Sequence, residues 1–248
     1  MDKVLRGILQ YNRSAKKKDV LKQLSKIVDS QSTPSSVLFT CMDSRIHPNV
    51  FMNSDIGDAF TVRNAGNIVP KSGLVHGLVN PAPEPAGLEL GCVLNSIKNV
   101  IVCGHSDCKA MIAVHSLKDS NGWSEEELLQ SPLKAWLYKH GMDSLNKLND
   151  KLTSPESPLT FMKDTQHEFE ANMDNKLLES DQLSQINTLV QIENIYSYGF
   201  MKERMDQHQS VAHGLWLSLS SGEAHFFSKK DKAFVNVTED NVEELVCR

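Results

Sequence analysis

The sequence predicts a single α/β domain with a mostly parallel central sheet flanked by helices. Three observations carry this. A chain of 248 residues with 40% apolar content suits one sizeable core and argues against disorder. Strand-sized apolar runs at residues 37–41, 59–62 and 99–103 alternate with stripes at helical spacing. The joints between them are short, as in βαβ crossovers, which build parallel sheets with helices on both faces.

Residues 1–30 read as an N-terminal helical arm. Val4, Leu5, Ile8 and Leu9 lie at helical spacing and are continued by Val20, Leu21, Leu24, Ile27 and Val28, with Lys3, Arg6, Arg13, Lys16, Lys17 and Lys18 on a solvated face. The same composition resembles a weak mitochondrial transit helix, and one helix can serve both packing and targeting. The expected location is intracellular, in a reducing compartment: the mitochondrion if the basic helix targets, otherwise the cytoplasm. The strand at 37–41 follows a Ser/Pro loop, and 59–62 follows Gly57. Four prolines between residues 70 and 85 predict a long loop. Leu90, Val93, Leu94 and Ile97 then form the i, i+3, i+4, i+7 stripe of a helix over 84–98, followed by a strand at 99–103. Ala110, Ala113, Val114 and Leu117 predict a further helix.

Residues 118–180 are polar, with a capping-box start at Ser124 and Glu127, and read as a peripheral helical insert in the one domain spanning 1–248. A helix near 183–196, a strand at 213–220, a turn at Ser221 and Gly222, and an edge strand at 223–228 complete the chain.

Composition bounds function. With 26 Lys+Arg against 31 Asp+Glu, a net charge of −5, no dominant basic surface for nucleic acid is expected. No run approaches eighteen apolar residues, so no membrane span is expected. Five cysteines are too few and too odd for a disulfide framework and point to a reducing compartment.

The chemistry sits at two strand ends. Cys41-Met42-Asp43-Ser44-Arg45 follows the first strand, and Gly104-His105-Ser106-Asp107-Cys108 follows the third. In a parallel sheet ligands bind outside the carboxyl ends of the strands, where these segments can meet. Two thiols and an imidazole suit Zn²⁺, and three protein ligands leave the fourth position open, the catalytic arrangement. Asp43, held by an Arg45 fork, would stay ionised. It can orient a nucleophile, or swing in as a conditional fourth ligand.

These two segments and Arg63-Asn64-Ala65-Gly66-Asn67, in this order, resemble the motifs of the β-class carbonic anhydrases. The likeness runs from about residue 34 to 115, with a weaker one over 194–237, and is most similar to the animal branch of the family. It implies one Zn²⁺ per chain on Cys41, His105 and Cys108, and reversible hydration of CO₂ to bicarbonate and a proton by zinc-bound hydroxide, with Asp43 and Arg45 as the catalytic pair. It also implies a homodimer or higher oligomer and four parallel strands extended by an antiparallel C-terminal edge strand. The substrate pocket is expected from Phe60, Leu90 and Gly104; Phe60 matches the plant-type pattern, while Leu90 stands where plant-type relatives have Tyr. Gln31 is one position from the pattern's Gln, with Ser32 in register. Leu38 occupies the place of a Trp found in bicarbonate-inhibited bacterial relatives, which favours an open zinc.

Of the other candidates, His47 lies near the site and can relay protons. Cys92 and Cys103 read as buried and inert, Cys247 as an exposed tail residue, and His76, His115, His140, His167, His208, His213 and His225 as surface or satisfied core. Trp123, Trp136 and Trp216 read as packing residues. The rival functions are a zinc hydrolase of a CO₂-like molecule, CS₂ or COS, on the same scaffold, and a non-catalytic zinc protein, which would normally recruit a fourth Cys or His.

Overall fold

The computed structural model describes residues 1–30, 32–75, 78–118, 120 and 122–246, except the side chain of Val246. Gln31, His76 and Cys247, named above, lie outside the described residues. Two helices, Asp2–Arg13 (α1) and Ala15–Ser30 (α2), precede the strand Ser36–Cys41 (β1). A single helical turn, Pro48–Phe51 (α3), leads to Ala59–Asn64 (β2), then to a small hairpin of Leu74–Val75 (β3) and Leu78–Val79 (β4). Helix Pro83–Leu88 (α4) continues into a π-helical turn, Glu89–Leu94, before Asn99–His105 (β5). Lys109–His115 (α5), Glu125–Gln130 (α6) and Pro132–Thr153 (α7) are followed by a hairpin of Leu159–Phe161 (β6) and Phe169–Ala171 (β7). Glu179–Tyr196 (α8) and Gly199–Asp206 (α9) lead to Val211–Leu217 (β8), Ala224–Ser228 (β9), Ala233–Asn236 (β10) and Val242–Val246 (α10).

The main sheet has the order β10-β9-β8-β5-β1-β2. The pairs β2/β1, β1/β5 and β5/β8 are parallel, while β8/β9 and β9/β10 are antiparallel. All six residues of β1 are buried, as expected of a central strand covered on both faces. From β1 the chain adds β2 on one side and returns to add β5 on the other. The carboxyl ends of β1 and β5 therefore flank the topological switch point, where open α/β sheets form their ligand crevice.

The expected architecture holds, with corrections. Two antiparallel strands, not one, extend the parallel core. The edge is β10, a four-residue, half-buried strand after the charged residues 229–232, too short to show a period. The helix over 84–98 is instead α4 plus the π-helical turn, and three of its four stripe residues are turned outward: Leu90, Val93 and Leu94 are 49%, 39% and 72% exposed, whereas Ile97, beyond the turn, is buried with Leu88 and Cys92. Gly91 explains the orientation. A Cβ there would lie 2.3 Å from Val37 Cγ2, so the glycine edge is what approaches β1.

The N-terminal arm is broken at Ser14, and no residue of α1 or α2 is buried. Val20 and Ile27 are half-buried, with the Ile27 side chain against Gly57, while Val4, Leu5, Ile8, Leu9, Leu21, Leu24 and Val28 are exposed in the single chain. The polar span 118–180 includes the β6–β7 hairpin as well as helices. It is also less peripheral than expected, since Leu137, Leu145, Leu148 and Phe161 join the main core cluster with Val102 and Leu183.

Candidate metal centre

β1 delivers Cys41 as its last residue, and the adjacent β5 delivers His105 as its last. Cys108 follows as the N-cap of α5. Both ligand segments thus start from neighbouring strands, which brings together residues far apart in sequence. One ligand atom from each of Cys41, His105 and Cys108 lies within 4.8 Å of the others, and all three residues are buried. Among the described residues this is the one grouping of three such side chains identified as able to hold a metal.

The donor set fits zinc on two counts. The Cys41 and Cys108 sulfurs are 4.0 Å apart, close to the roughly 3.8 Å that tetrahedral geometry with Zn–S bonds of about 2.3 Å requires. His105 donates from Nδ1 to the Ser106 carbonyl at 2.8 Å, which fixes the tautomer and leaves the Nε2 lone pair free. Nε2 is buried and has no partner. A buried, unpartnered imidazole nitrogen fits a metal ligand.

The thiols are tuned against each other. The neighbouring Cys108 S–H, the His105 ring and the backbone N–H groups of Gly66 and Asp43 make Cys41 the first to ionise, against the cost of burial. The Cys41 thiolate and burial push Cys108 upward. A dication between them would satisfy both as thiolates. Cys103, wholly buried, is pushed up to about 12, and Cys92 up to about 11, both by burial. They are the inert thiols expected from the sequence.

Beside the cluster, Arg45 grips Asp43 as a fork. Nε donates to Oδ1 at 3.0 Å and an Nη to Oδ2 at 2.7 Å, while the Arg45 backbone N–H donates to Oδ1 at 2.9 Å. These bonds hold the Asp43 carboxyl well below the usual carboxylate range. Arg63, at the end of β2, donates to the carbonyls of Cys41, Asp43 and Ile46 at 2.8–3.0 Å. It fixes the loop that presents both groups.

Four further sequence candidates are Phe60, Leu90, Gly104 and His47. Phe60 pairs with Val37, four residues before Cys41, so along the strand it lies about 13 Å from the metal end. Leu90 is half-exposed on the π-helical turn. Within one chain neither is brought to the cluster. Gly104 is adjacent to it, but its missing side chain faces α8, where a Cβ would meet Thr188. His47 is exposed at the N-cap of α3. A cleft of about 730 Å³ lined by Ser36, Ala59, Asn99 and Val211 lies at the opposite, amino ends of the strands, away from the cluster.

Sequence reasoning missed the scaffold of the site. Helix α8 carries buried amides that hold the loop after β2: Asn187 donates to Gly66 O, Gln191 accepts from Val69 N–H, and Asn194 donates to Val69 O, at 2.8–2.9 Å. Ser184 of the same helix donates to His105 O at 2.7 Å. The available signal was polar residues recurring every three or four positions in a helix otherwise apolar all round. Glu84 was missed as well; it is buried, accepts from Asn64 at 2.8 Å and leaves Oε2 unpartnered.

A buried Cys₂His cluster that would offer three protein ligands to zinc, set at the switch point of a parallel sheet, is the site of a zinc-dependent α/β enzyme. The sequence model of the carbonic anhydrase family matches residues 36–224. Beta carbonic anhydrase 1 of Caenorhabditis elegans is 38% identical over 253 residues, covering 100% of this chain and 92% of that protein. A carbonic anhydrase of Synechocystis is 28% identical, covering 90% of this chain and 69% of its own length. Among solved structures, the beta-carbonic anhydrase CcaA superposes with a TM-score of 0.73 at 23% identity, covering 96% of this chain and 99% of that one. A structure from a study of two tetrameric beta-carbonic anhydrases of Sordaria macrospora gives 0.65 at 16%, covering 91% and 98%. The chain belongs to the β-class carbonic anhydrase family, with more likeness to the nematode relatives than to the cyanobacterial ones.

Proposed function

We propose that this protein is a carbonate dehydratase, catalysing the reversible hydration of CO₂ to bicarbonate and a proton. The observation that carries the proposal is the Cys41, His105 and Cys108 cluster, with His105 Nε2 free and the Arg45-clamped Asp43 beside it. Zinc bound there supplies a Lewis acid that makes water a nucleophile near neutral pH. The protein's own groups do the rest. Asp43, kept ionised by Arg45, is an acceptor for the proton of a nucleophile and so orients it toward CO₂. Arg63 and the α8 amides hold the ligand loops rigid, which preserves that orientation.

A second copy of the chain is the partner we propose for the outward stripe of Leu90, Val93 and Leu94, which a monomer leaves in water. Apolar surface of this kind marks association sites. The basic face of α1 and α2 supports a mitochondrial location as one reading. The names of the relatives lend no support to CS₂ or COS as substrate.

The test is stopped-flow CO₂ hydration on metal-quantified protein. Zinc near one per chain with no hydration at pH about 8 would refute the proposal.

A further inference from the structure

Asp107 sits between two metal ligands in sequence, yet its backbone is left-handed, with φ of 52°, a conformation few non-glycine residues adopt. Every polar group of the residue given a partner points to the same purpose. Its carboxylate accepts from Arg45 Nη1 at 2.6 Å, and its carbonyl accepts from Arg45 Nη2 at 3.0 Å. Its N–H donates to Asp181 Oδ1, in the first turn of α8, at 2.7 Å. Arg45 is therefore held from two sides, with Asp43 on one edge of the guanidinium and Asp107 on the other.

The Arg45 and Asp107 side chains are 42% and 60% exposed, while that of Asp43 is only 12% exposed. An ion pair so exposed adds little to stability. Its geometric consequence is larger. For Asp43 to turn onto the metal it must leave the Arg45 fork, or carry Arg45 with it and break both bonds to Asp107.

We propose that Asp181 and Asp107 form a latch that anchors Arg45 and so keeps Asp43 turned away from the metal, leaving the fourth coordination position for exogenous ligands. Both are positioning residues, since neither is placed against the reacting atoms. The inference rests on reading Asp43 as the group that serves the metal site. Asp181 does its part with one acceptor oxygen, so Asn at that position can replace it. Ala cannot.

The test uses cobalt-loaded full-length protein at one fixed pH, titrated with thiocyanate and followed by its visible absorption. Asp43 closing on the metal competes with the anion, so loss of the latch weakens anion affinity. Asp181→Ala and Asp107→Ala are each expected to weaken it about fivefold, the worth of one hydrogen bond, with metal content unchanged. Asp181→Asn is expected to retain wild-type affinity. In an Asp43→Asn background the effect of Asp181→Ala should vanish, because no carboxylate remains to close.

Persistence of the full effect in that background would overturn the latch, as would wild-type affinity in both alanine variants. The Asp43→Asn comparison also separates a latch from a general loosening of α8, which would weaken binding in either background. Absence of CO₂ hydration by the wild-type zinc protein would instead refute the proposed function, and it is read separately.

Discussion

Gly104 precedes the ligand His105 and faces α8 at very close range. A Cβ at this position would lie 2.3 Å from Thr188 Oγ1, 3.2 Å from Ser184 O and 3.3 Å from Ser184 Oγ. Nonbonded heavy atoms prefer about 3.5 Å or more, so Gly104→Ala requires roughly 1 Å of extra room where Ser184 and Thr188 have no exposed surface. Overpacking of this kind costs about 1–3 kcal/mol. For a chain of this length that is a fall in Tm of about 3–9 °C. Because Ser184 donates to His105 O at 2.7 Å, the displaced helix also drags on the ligand, and CO₂ hydration should fall by tens of fold or more. Thr188→Ala removes the nearest clashing atom at the cost of its own 2.9 Å bond to Ser184 O. The double variant should therefore be more stable than the sum of the singles by about 1 kcal/mol. Thermal melts and stopped-flow assays on the four proteins of the cycle decide it. A Gly104→Ala melt within about 1 °C of wild type, or strict additivity in the cycle, refutes the packing account.

Asp43→Asn should lower kcat for hydration by about a hundredfold or more with zinc content unchanged, measured by stopped flow and metal analysis; equal activity would remove Asp43 from the chemistry. Stripping the metal with a chelator should lower Tm, because zinc at a thousand times its Kd stabilises the folded chain by about 4 kcal/mol, and re-addition should restore the melt. His140, half-buried against Trp136, has its pKa pushed down to about 4 by burial and by the Lys139 charge. The unfolded chain binds that proton near pH 6.5 and the folded chain does not, so stability is full above about pH 6.5 and is lost as pH falls toward 4. Discounted for partial exposure, the loss is about 1–2 kcal/mol, and His140→Gln should flatten that part of a urea-stability profile against pH.

The parts of the fold legible in the sequence are those where one face, or both, had to be apolar. β1 and β5 read as continuous runs because they are central and covered on both sides, and both ligand segments were legible because they sit directly at those strand ends. The stretch after Pro83 misled because the 3.6-residue rule assumes an unbroken α-helix. The π-helical turn inserts a residue, and Gly91 turns the bare side of the helix to β1, so Leu90, Val93 and Leu94 face out while Ile97 stays in the core. β10 is too short to show an alternation. Phe60 and Leu90 could be named but not placed, since strand register sets how far each lies from Cys41. Asp181 was invisible for another reason: it meets Asp107 only after five intervening elements have folded, and an Asp in the first turn of a helix already has a local explanation in the helix dipole.

Helix α8 explains how two loops with no contact in sequence can hold a common metal geometry. Asp181 fixes Asp107 N–H, Ser184 fixes His105 O, Asn187 fixes Gly66 O, and Gln191 and Asn194 fix both polar groups of Val69. One rigid body therefore sets both the loop that donates Gly66 N–H toward Cys41 and the loop that carries His105 and Cys108. The side chains doing this are buried and polar, which destabilises a core unless every group finds a partner. Here the partners are backbone groups of the loops around the cluster, together with side chains such as Ser144, which donates to Asn187, and Trp216, which donates to Ser184. The helix looks poorly amphipathic because its polar face is turned inward, and the bonds made along that face position the loops around the two thiols, which lie 4.0 Å apart.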